Sequence, residues 1–433
     1  MRIAILSLFE DMYQPFLATS LVRRAQEAGI VNIEVDSLFS YVAPKERIDA
    51  PTFGHGAGML LRPDVIEKAI EKNEAEHGPA YKIFFSPQGK KLNQRLLKKI
   101  AGAVADKKHL MLLPARYEGM DARLEEHYAD EIVSVGDFVL MGGDIPAMTL
   151  LEGLLRLIPG VVGRQESVEF ESFSGPFVDY PEFTAPVVWH GQEVPEVIRS
   201  GNHAQMALWR KRKAAENTVA HHFEWLRSSV MSADERALAQ EFIPRHYAAL
   251  MHTDVALSDG RVGTTSVTSL DIHDIARSAK TYGLQSYFIV TPLHDQQRVV
   301  QKLLDFWHTG PGFDYNQSRF EAVRSVQLSA GIDEVMAAIE QQEGVKPLLI
   351  ATSARSEGHP KRITYHDQEQ VWAHKRPVLL VFGTGSGLTQ EFLARCDYLL
   401  VPVKGFSEFN HLSVRSAAAI IFDRWLGVNI KDE

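Results

Sequence analysis

Apolar and polar positions fall into two blocks of regular pattern, separated by a stretch with little period. In the first block, short apolar runs predict strands at Arg2–Phe9, Val31–Phe39, Tyr81–Phe85, His109–Pro114 and Glu131–Leu140. Between them apolar residues recur at helical spacing, as over Pro63–Glu76 and Leu92–Ala105, and a longer helix over Ala147–Leu157 stops at Pro159-Gly160. Strands alternating with helices argue a mostly parallel α/β sheet. Residues 164–187 are rich in Ser, Glu, Phe and Pro and read as a long exposed loop. From Val194 to about Tyr247 the pattern is helical and charged.

A second α/β block opens near Thr253. Its strands are expected at Val255–Leu257, Ser286–Thr291, Pro347–Ala351, Pro377–Phe382 and Tyr398–Val403, and an Ala-rich helix over Ser413–Leu426 closes it before Gly427. Each block ends on a late strand, a Gly-rich turn and an apolar helix, which hints at one fold used twice.

Length fits this division, since 433 residues are too many for one ordinary core. No apolar run approaches the roughly 20 residues of a membrane span, and MRIAILSLFEDM reads as a first strand and not as a signal peptide. The single cysteine, Cys396, forms no intramolecular disulfide and excludes a thiolate zinc cluster. It reads as a small core residue of a cytoplasmic protein. A net charge of −9 advertises no nucleic-acid partner globally, so charge has to be read locally. Two basic stretches stand out, residues 89–100 and WRKRK at 209–213.

Three Gly- or Pro-bearing turns follow strands of the first block: SPQG at 86–89, PARYEG at 114–119 and VGDFVLMGGDIPAMTL at 135–150. Ligands of open α/β sheets bind beyond the carboxyl ends of strands, and glycine there lets backbone approach a ligand closely. None of the turns matches GxGxxG or GxxxxGK[ST], so neither a dinucleotide fold nor a P-loop is supported.

Taken together with FGHGAGMLLRP at 53–63, these turns resemble the bacterial tRNA (guanine-N1)-methyltransferase family, over Met1 to about Leu226. The resemblance implies a deep trefoil knot, an exception to the rule against knotted chains. It also implies S-adenosylmethionine bound in the knot, a homodimer, and methylation of N1 of the guanosine just 3′ of the tRNA anticodon. Mg2+ as an assisting cation is implied in the same way. By resemblance the donor would be held by Ser86, Pro87, Gln88, Gly89, Ala115, Glu118, Val135, Gly136, Asp137, Phe138, Val139, Leu140, Gly142, Gly143 and Pro146. The family usually has glycine at the place of Ala115, and an added methyl there would tighten the pocket or push backbone away.

Guanine N1 carries a proton, so the reaction needs a base near N1 and a donor near O6, where negative charge develops. The resemblance assigns the charge-stabilising role to Arg156. It puts Glu171 where the family has an aspartate, with Glu169 as a neighbouring substitute. Glutamate keeps the carboxylate but adds a methylene, and misplacement by ~1 Å can cost 10²-fold in rate. Tyr117, Ser167 and Asp179 fall on positions of the target-guanosine site. Trp209 and Arg210 fall in a tRNA-gripping segment, where cations neutralise phosphates and Trp stacks on bases.

Residues from about 252 onward, with TSLDIHDIARSAKTYGL, LLVFGTGSGL, YLLVPV and FNHLSVRSAAAIIFDRWLG, resemble a second family of knotted RNA-methyltransferase-like proteins. The same segments resemble the knotted ribose-methylating enzymes, and that likeness implies Arg277 as the activating arginine and a donor pocket of Gly383, Gly385, Val401, Pro402, Asn410 and Ser413. The resulting expectation is an α/β protein with two trefoil-knotted, SPOUT-type methyltransferase domains at 1–163 and 249–433. Between them lie an interdomain loop at 164–187 and a small helical tRNA-binding domain at 188–248. Two other readings stay open. In one the C-terminal domain is a noncatalytic RNA-binding or dimerisation module, and in the other the whole chain binds tRNA with impaired catalysis.

Overall fold

The computed structural model describes residues 1–54, 56–163, 171–355 and 359–428, with the backbone alone at residue 313. By its contacts the chain divides into two compact units, Met1–Ser174 and Gly175–Glu433.

The first unit is built on five parallel strands, β1 (Arg2–Ser7), β2 (Asn32–Ser37), β3 (Tyr81–Lys91), β4 (His109–Leu113) and β5 (Glu131–Ser134). They lie in the order β2-β1-β4-β3-β5. Strands covered on both faces read as near-continuous apolar runs, and alternate residues then serve opposite cores. Ile3 and Ile5 pack with Leu97, Ile100, Leu151 and Leu154 of the helices Gln94–Lys107 and Asp144–Arg156. Ala4 and Leu6 face Val65, Ile66 and Ile70 of the helix Pro63–His77 on the other side. The strand expected to run to Leu140 ends at Ser134, and the exposed run Phe138–Met141 follows it.

The second unit contains a seven-stranded parallel sheet: β6 (His246–Met251), β7 (Ser286–Val290), β8 (Val326–Ser329), β9 (Leu348–Thr352), β10 (Arg362–Ile363), β11 (Val378–Gly383) and β12 (Tyr398–Leu400). Its order is β8-β7-β6-β11-β9-β12-β10. Without β8 and β10 at its edges, it repeats the strand order of the first sheet. The hint of one fold used twice is thereby visible in the topology.

Two expectations are corrected here. The helical pattern does not run to Tyr247, and the second block does not open at Val255. Residues 246–251 form a central strand with every residue buried, while Val255–Ala256 is half of a small hairpin. A short, fully apolar run has no period to distinguish buried strand from buried helix. Nor do the helices of 188–248 have a core of their own. Val219, Leu226 and Ala239 share one buried cluster with Ala248, Ile289, Leu380 and Trp425.

No described helix is long and apolar enough to cross a membrane. Cys396 is buried, and its thiol is pushed up to about 12 by burial.

Candidate active site

The three turns of the first unit sit at the carboxyl ends of neighbouring strands. Residues 86–89 leave the ladder as a bulge, for Phe85 and Lys90 both pair with Val133. A Cβ on Gly89 would stand 2.5 Å from the carbonyl carbon of Ile132, so the bulge lies flush on β5 only as glycine. The second and third turns are stitched to each other. Gly143 N donates to Ala115 O at 2.7 Å, and Arg116 bridges to Gly142. A Cβ on Gly143 would meet Ala115 N at 2.7 Å and Pro114 Cα at 2.8 Å. These are cradles in which backbone N–H and C=O groups can meet a ligand, and they fit an adenosyl donor.

Ala115 itself is buried and belongs to the core with Leu113 and Met120, so its methyl points away from the cradle. Glu118 packs over Gly58, where a Cβ would come within 2.3 Å of its Cγ, and its N–H donates to Met59 O at 3.0 Å. This brings Gly58 and Met59 to the second turn. Between them Tyr117 is exposed and held at a φ of 58°, a left-handed conformation that non-glycine residues seldom adopt. In the third turn Ser134 Oγ donates to Gly136 O, Asp137 pairs with Lys91, and Pro146 is buried. Phe138, Val139, Leu140 and Met141 are all exposed, Val139 and Met141 almost completely.

The sequence reading missed the group that holds this region together. Asp144, fully buried at the start of the helix Asp144–Arg156, accepts Ser7 Oγ at 2.6 Å, Tyr13 Oη at 2.9 Å and Arg116 Nε at 2.7 Å. An acid after GG reads as an ordinary first-turn residue, and only the fold reveals its three donors. Burial, with Asp144 beside it, raises the Tyr13 hydroxyl far above the usual range.

At the other end of the same helix, Arg156 Nη2 is bonded to Glu171 Oε1. Both side chains are partly open to solvent. Ser167 and Glu169 lie outside the described residues. Asp179, Trp209 and Arg210 belong to the second unit. Asp179 is exposed, Trp209 lies against Phe183, and Arg210 lies 5.1 Å over the Tyr180 ring. Of the basic run, Arg212 is tied to Glu241 and Lys213 to Glu216, leaving Arg210 and exposed Lys211 as its outward cations. In the other basic stretch, Lys90 and Lys99 both grip Glu131.

The second unit has a cleft of about 760 Å³ beyond the ends of β9, β11 and β12. Gly383, Gly385, Asn410 and Ser413 line it. Val401 and Pro402 are not among its lining residues, although Val403 is. A Cβ on Gly385, at a φ of 60°, would lie 2.8 Å from Ala256 O, so backbone walls this side too. Arg277 is exposed and does not line the cleft, because its position falls on the outer face of the helix Ser269–Thr281. The cleft arginines are Arg355 and Arg415. Among the described residues no group of three or more His, Cys, Asp or Glu is placed to hold an ion, so nothing supports Mg2+ here.

Comparison with known proteins also divides the chain in two, at a later point than its contacts do. Residues 1–228 match the family described as tRNA (Guanine-1)-methyltransferase TrmD, and residues 245–427 match one described as SAM-dependent RNA methyltransferase. A tRNA (guanine-N(1)-)-methyltransferase of Nitratidesulfovibrio vulgaris is 39% identical over 436 residues, 99% of each chain. One from Oleidesulfovibrio alaskensis is 38% identical over 433 residues, again 99% of each. The Thermus thermophilus enzyme of that name, 38% identical over 246 residues, is covered to 98% of its length by 56% of this chain. A crystal structure of tRNA (m1G37) methyltransferase from Aquifex aeolicus, 30% identical, aligns with a TM-score of 0.41 over 48% of this chain and 87% of that one.

Proposed function

Given that the chain belongs to the tRNA (guanine-1)-methyltransferase family and methylates N1 of guanosine in tRNA with S-adenosylmethionine, we propose how its residues divide that work on the guanosine 3′ of the anticodon. The turns at 86–89, 114–119 and 135–146 hold the donor, which supplies an electrophilic methyl group. Glu171 takes the N1 proton, and Arg156 faces O6, where the negative charge collects. The observation that carries this reading is the direct bond between those two side chains. They already stand within reach of one lactam edge, and the guanine has to enter between them. The added methylene of Glu171 is absorbed by a segment with no regular structure.

The reading extends to a homodimer. Arg156 ends the helix that Asp144 begins, so the donor cradle at Gly143 and the arginine lie about 20 Å apart along its axis at 1.5 Å per residue. One arginine side chain does not span that, and a second copy related by a twofold axis, its helix antiparallel to this one, would. The exposed run Phe138–Met141 beside the cradle is the kind of apolar surface that a second copy covers.

The boundary at 248 moves ahead of β6, which it would cut, and the trefoil knots and the boundaries at 163 and 187 remain part of this reading. So does the tRNA grip of Trp209, Arg210 and Lys211. The cleft of the second unit is taken as a second donor site, supported by its glycine walls and the repeated strand order.

The test is methyl transfer to unmodified tRNA with the product nucleoside identified. The full chain makes 1-methylguanosine, and Glu171→Gln makes it far more slowly while still binding donor and tRNA. An unimpaired Glu171→Gln chain would remove Glu171 from the role of base.

A further inference from the structure

The cleft of the second unit contains a charged pair in its wall. Asp271 stands in the first turn of the helix Ser269–Thr281 with 6% of its surface exposed. One oxygen accepts Arg415 Nη1 at 3.0 Å and the other accepts Thr268 Oγ1 at 2.6 Å. Arg415 also reaches Asp274 at 3.6 Å. Both Asp271 and Arg415 line the cleft. Burying a carboxylate beside a guanidinium costs desolvation that two apolar residues of equal size would not incur, so stability alone is a poor reason to keep the pair.

Its surroundings point to a reacting partner. His252 and Tyr287 are fully buried, and both sense the charge of Asp271. His252 Nε2 and Tyr287 Oη have no hydrogen-bond partner. His252 binds cleft-lining Thr265 through Nδ1 at 3.0 Å, and burial holds its pKa at about 4, so it is neutral and a poor proton acceptor. On the rim, Phe406 and Phe409 stand exposed just before the cleft-lining residues Asn410–Ser413. Exposed aromatic faces beside a pocket suit stacking on an unpaired base.

Resting on the reading of this cleft as a second donor site, we propose that Asp271 and Arg415 are the acid–base pair of a second methylation, on a ring N–H beside a carbonyl of an unpaired RNA base. The ring N–H gives its proton to the Asp271 carboxylate. The charge left behind spreads to the neighbouring carbonyl oxygen, opposite the Arg415 guanidinium. The nitrogen lone pair forms the new N–C bond as the S–C bond of the sulfonium breaks and its electron pair stays on sulfur; the proton then passes to water. Guanine and uracil both offer this edge. A ribose hydroxyl is a far weaker acid and has no adjacent carbonyl to share the charge. The first site pairs Glu171 with Arg156 for the same kind of edge.

The experiment uses the full chain, Asp271→Asn, Asp271→Glu and Arg415→Lys, with RNA from cells whose only copy of the protein carries Asp271→Asn. Calorimetry with S-adenosylmethionine counts donor sites, and mass spectrometry of nucleosides locates the methyl group. The expected result is two donors per chain in every variant and a second product methylated on ring nitrogen. Asp271→Asn slows that product by about 100-fold or more, Arg415→Lys slows it at unchanged donor affinity, and Asp271→Glu recovers part of the rate. Methyl on ribose, an unimpaired Asp271→Asn chain, or two bound donors with no second nucleoside would each overturn the proposal while leaving the donor reading intact. One donor per chain would instead remove the donor reading and the proposal with it.

Discussion

The guanidinium of Arg156 and the carboxylate of Glu171 are bonded directly, one at the end of a helix and the other on the segment beyond it. In the proposed mechanism each meets one end of the substrate edge. Glu171→Gln therefore removes proton acceptance and also frees Arg156. The expected outcome in single-turnover methyl transfer is a loss of about 10²–10⁴-fold, with tRNA affinity little changed. Glu171→Asp restores the shorter side chain of the wider family and keeps activity within a few-fold. A Glu171→Asp chain as slow as Glu171→Gln would mean that the segment has adapted to the longer side chain.

Gly143 tests the cradle independently of the chemistry. Its Cβ would sit 2.7 Å from Ala115 N, with backbone on that side and no flexible side chain to yield. Gly143→Ala is expected to weaken donor binding by about 10-fold or more, a cost of about 1.4 kcal/mol, without affecting tRNA binding. Titration calorimetry with S-adenosylmethionine reads it. Gly102→Ala, where nothing lies within 4 Å, is the control.

If two copies complete the first site, a defect in the cradle and a defect in the base reside on opposite sides of the same reaction centre. At donor concentrations well below the weakened affinity of Gly143→Ala, mixing those chains with Glu171→Gln chains after dissociation and reassociation should raise turnover above that of either variant alone. Activity that stays at the level of the separate variants would place cradle and base in one chain.

His246 sets the acid limit of the second unit. Its Nδ1 lies 2.6 Å from Pro244 O and its Nε2 accepts Trp425 Nε1 at 2.9 Å, an arrangement only the neutral ring satisfies. Complete burial depresses its pKa to about 4. The unfolded chain takes up this proton near pH 6.5, the folded chain only near 4. Stability is full above about pH 6.5 and falls as pH drops toward 4, by about 2 kcal/mol at pH 5 from this residue. His252, also held at about 4, adds a similar amount. Urea unfolding at pH 7.5 and pH 5, followed by tryptophan fluorescence, measures the difference. His246→Gln should flatten it, and an unchanged slope would mean that the ring is not what titrates.

Much of this fold was readable in the chain, for a physical reason. β1, β4 and the helices around them carry patterns that burial imposes directly, and the turns carry glycines at contacts where backbone blocks any Cβ. β6 was hidden because a strand buried on both faces has no polar alternation. Asp144 was hidden because its donors come from residues 7, 13 and 116, and no local pattern links them. The partnership of Asp271 with Arg415 spans 144 positions. Arg277 shows the converse, since the segment that carries it was legible but the helix face on which it falls was not.

Arg227 is 4% exposed and gives its guanidinium to Asp423 O, Arg424 O and Gly427 O, the loose carbonyls at the end of the last helix. During synthesis those acceptors leave the ribosome some 200 residues after the arginine. Strand β6 likewise waits for β11 before it has both its neighbours. The first unit, complete by Ser174, can fold while translation continues. The helices at 203–240 of the second unit cannot finish until residues 423–427 have been added. A message broken late would therefore release a chain whose donor cradle is formed but whose Trp209 segment still lacks its footing.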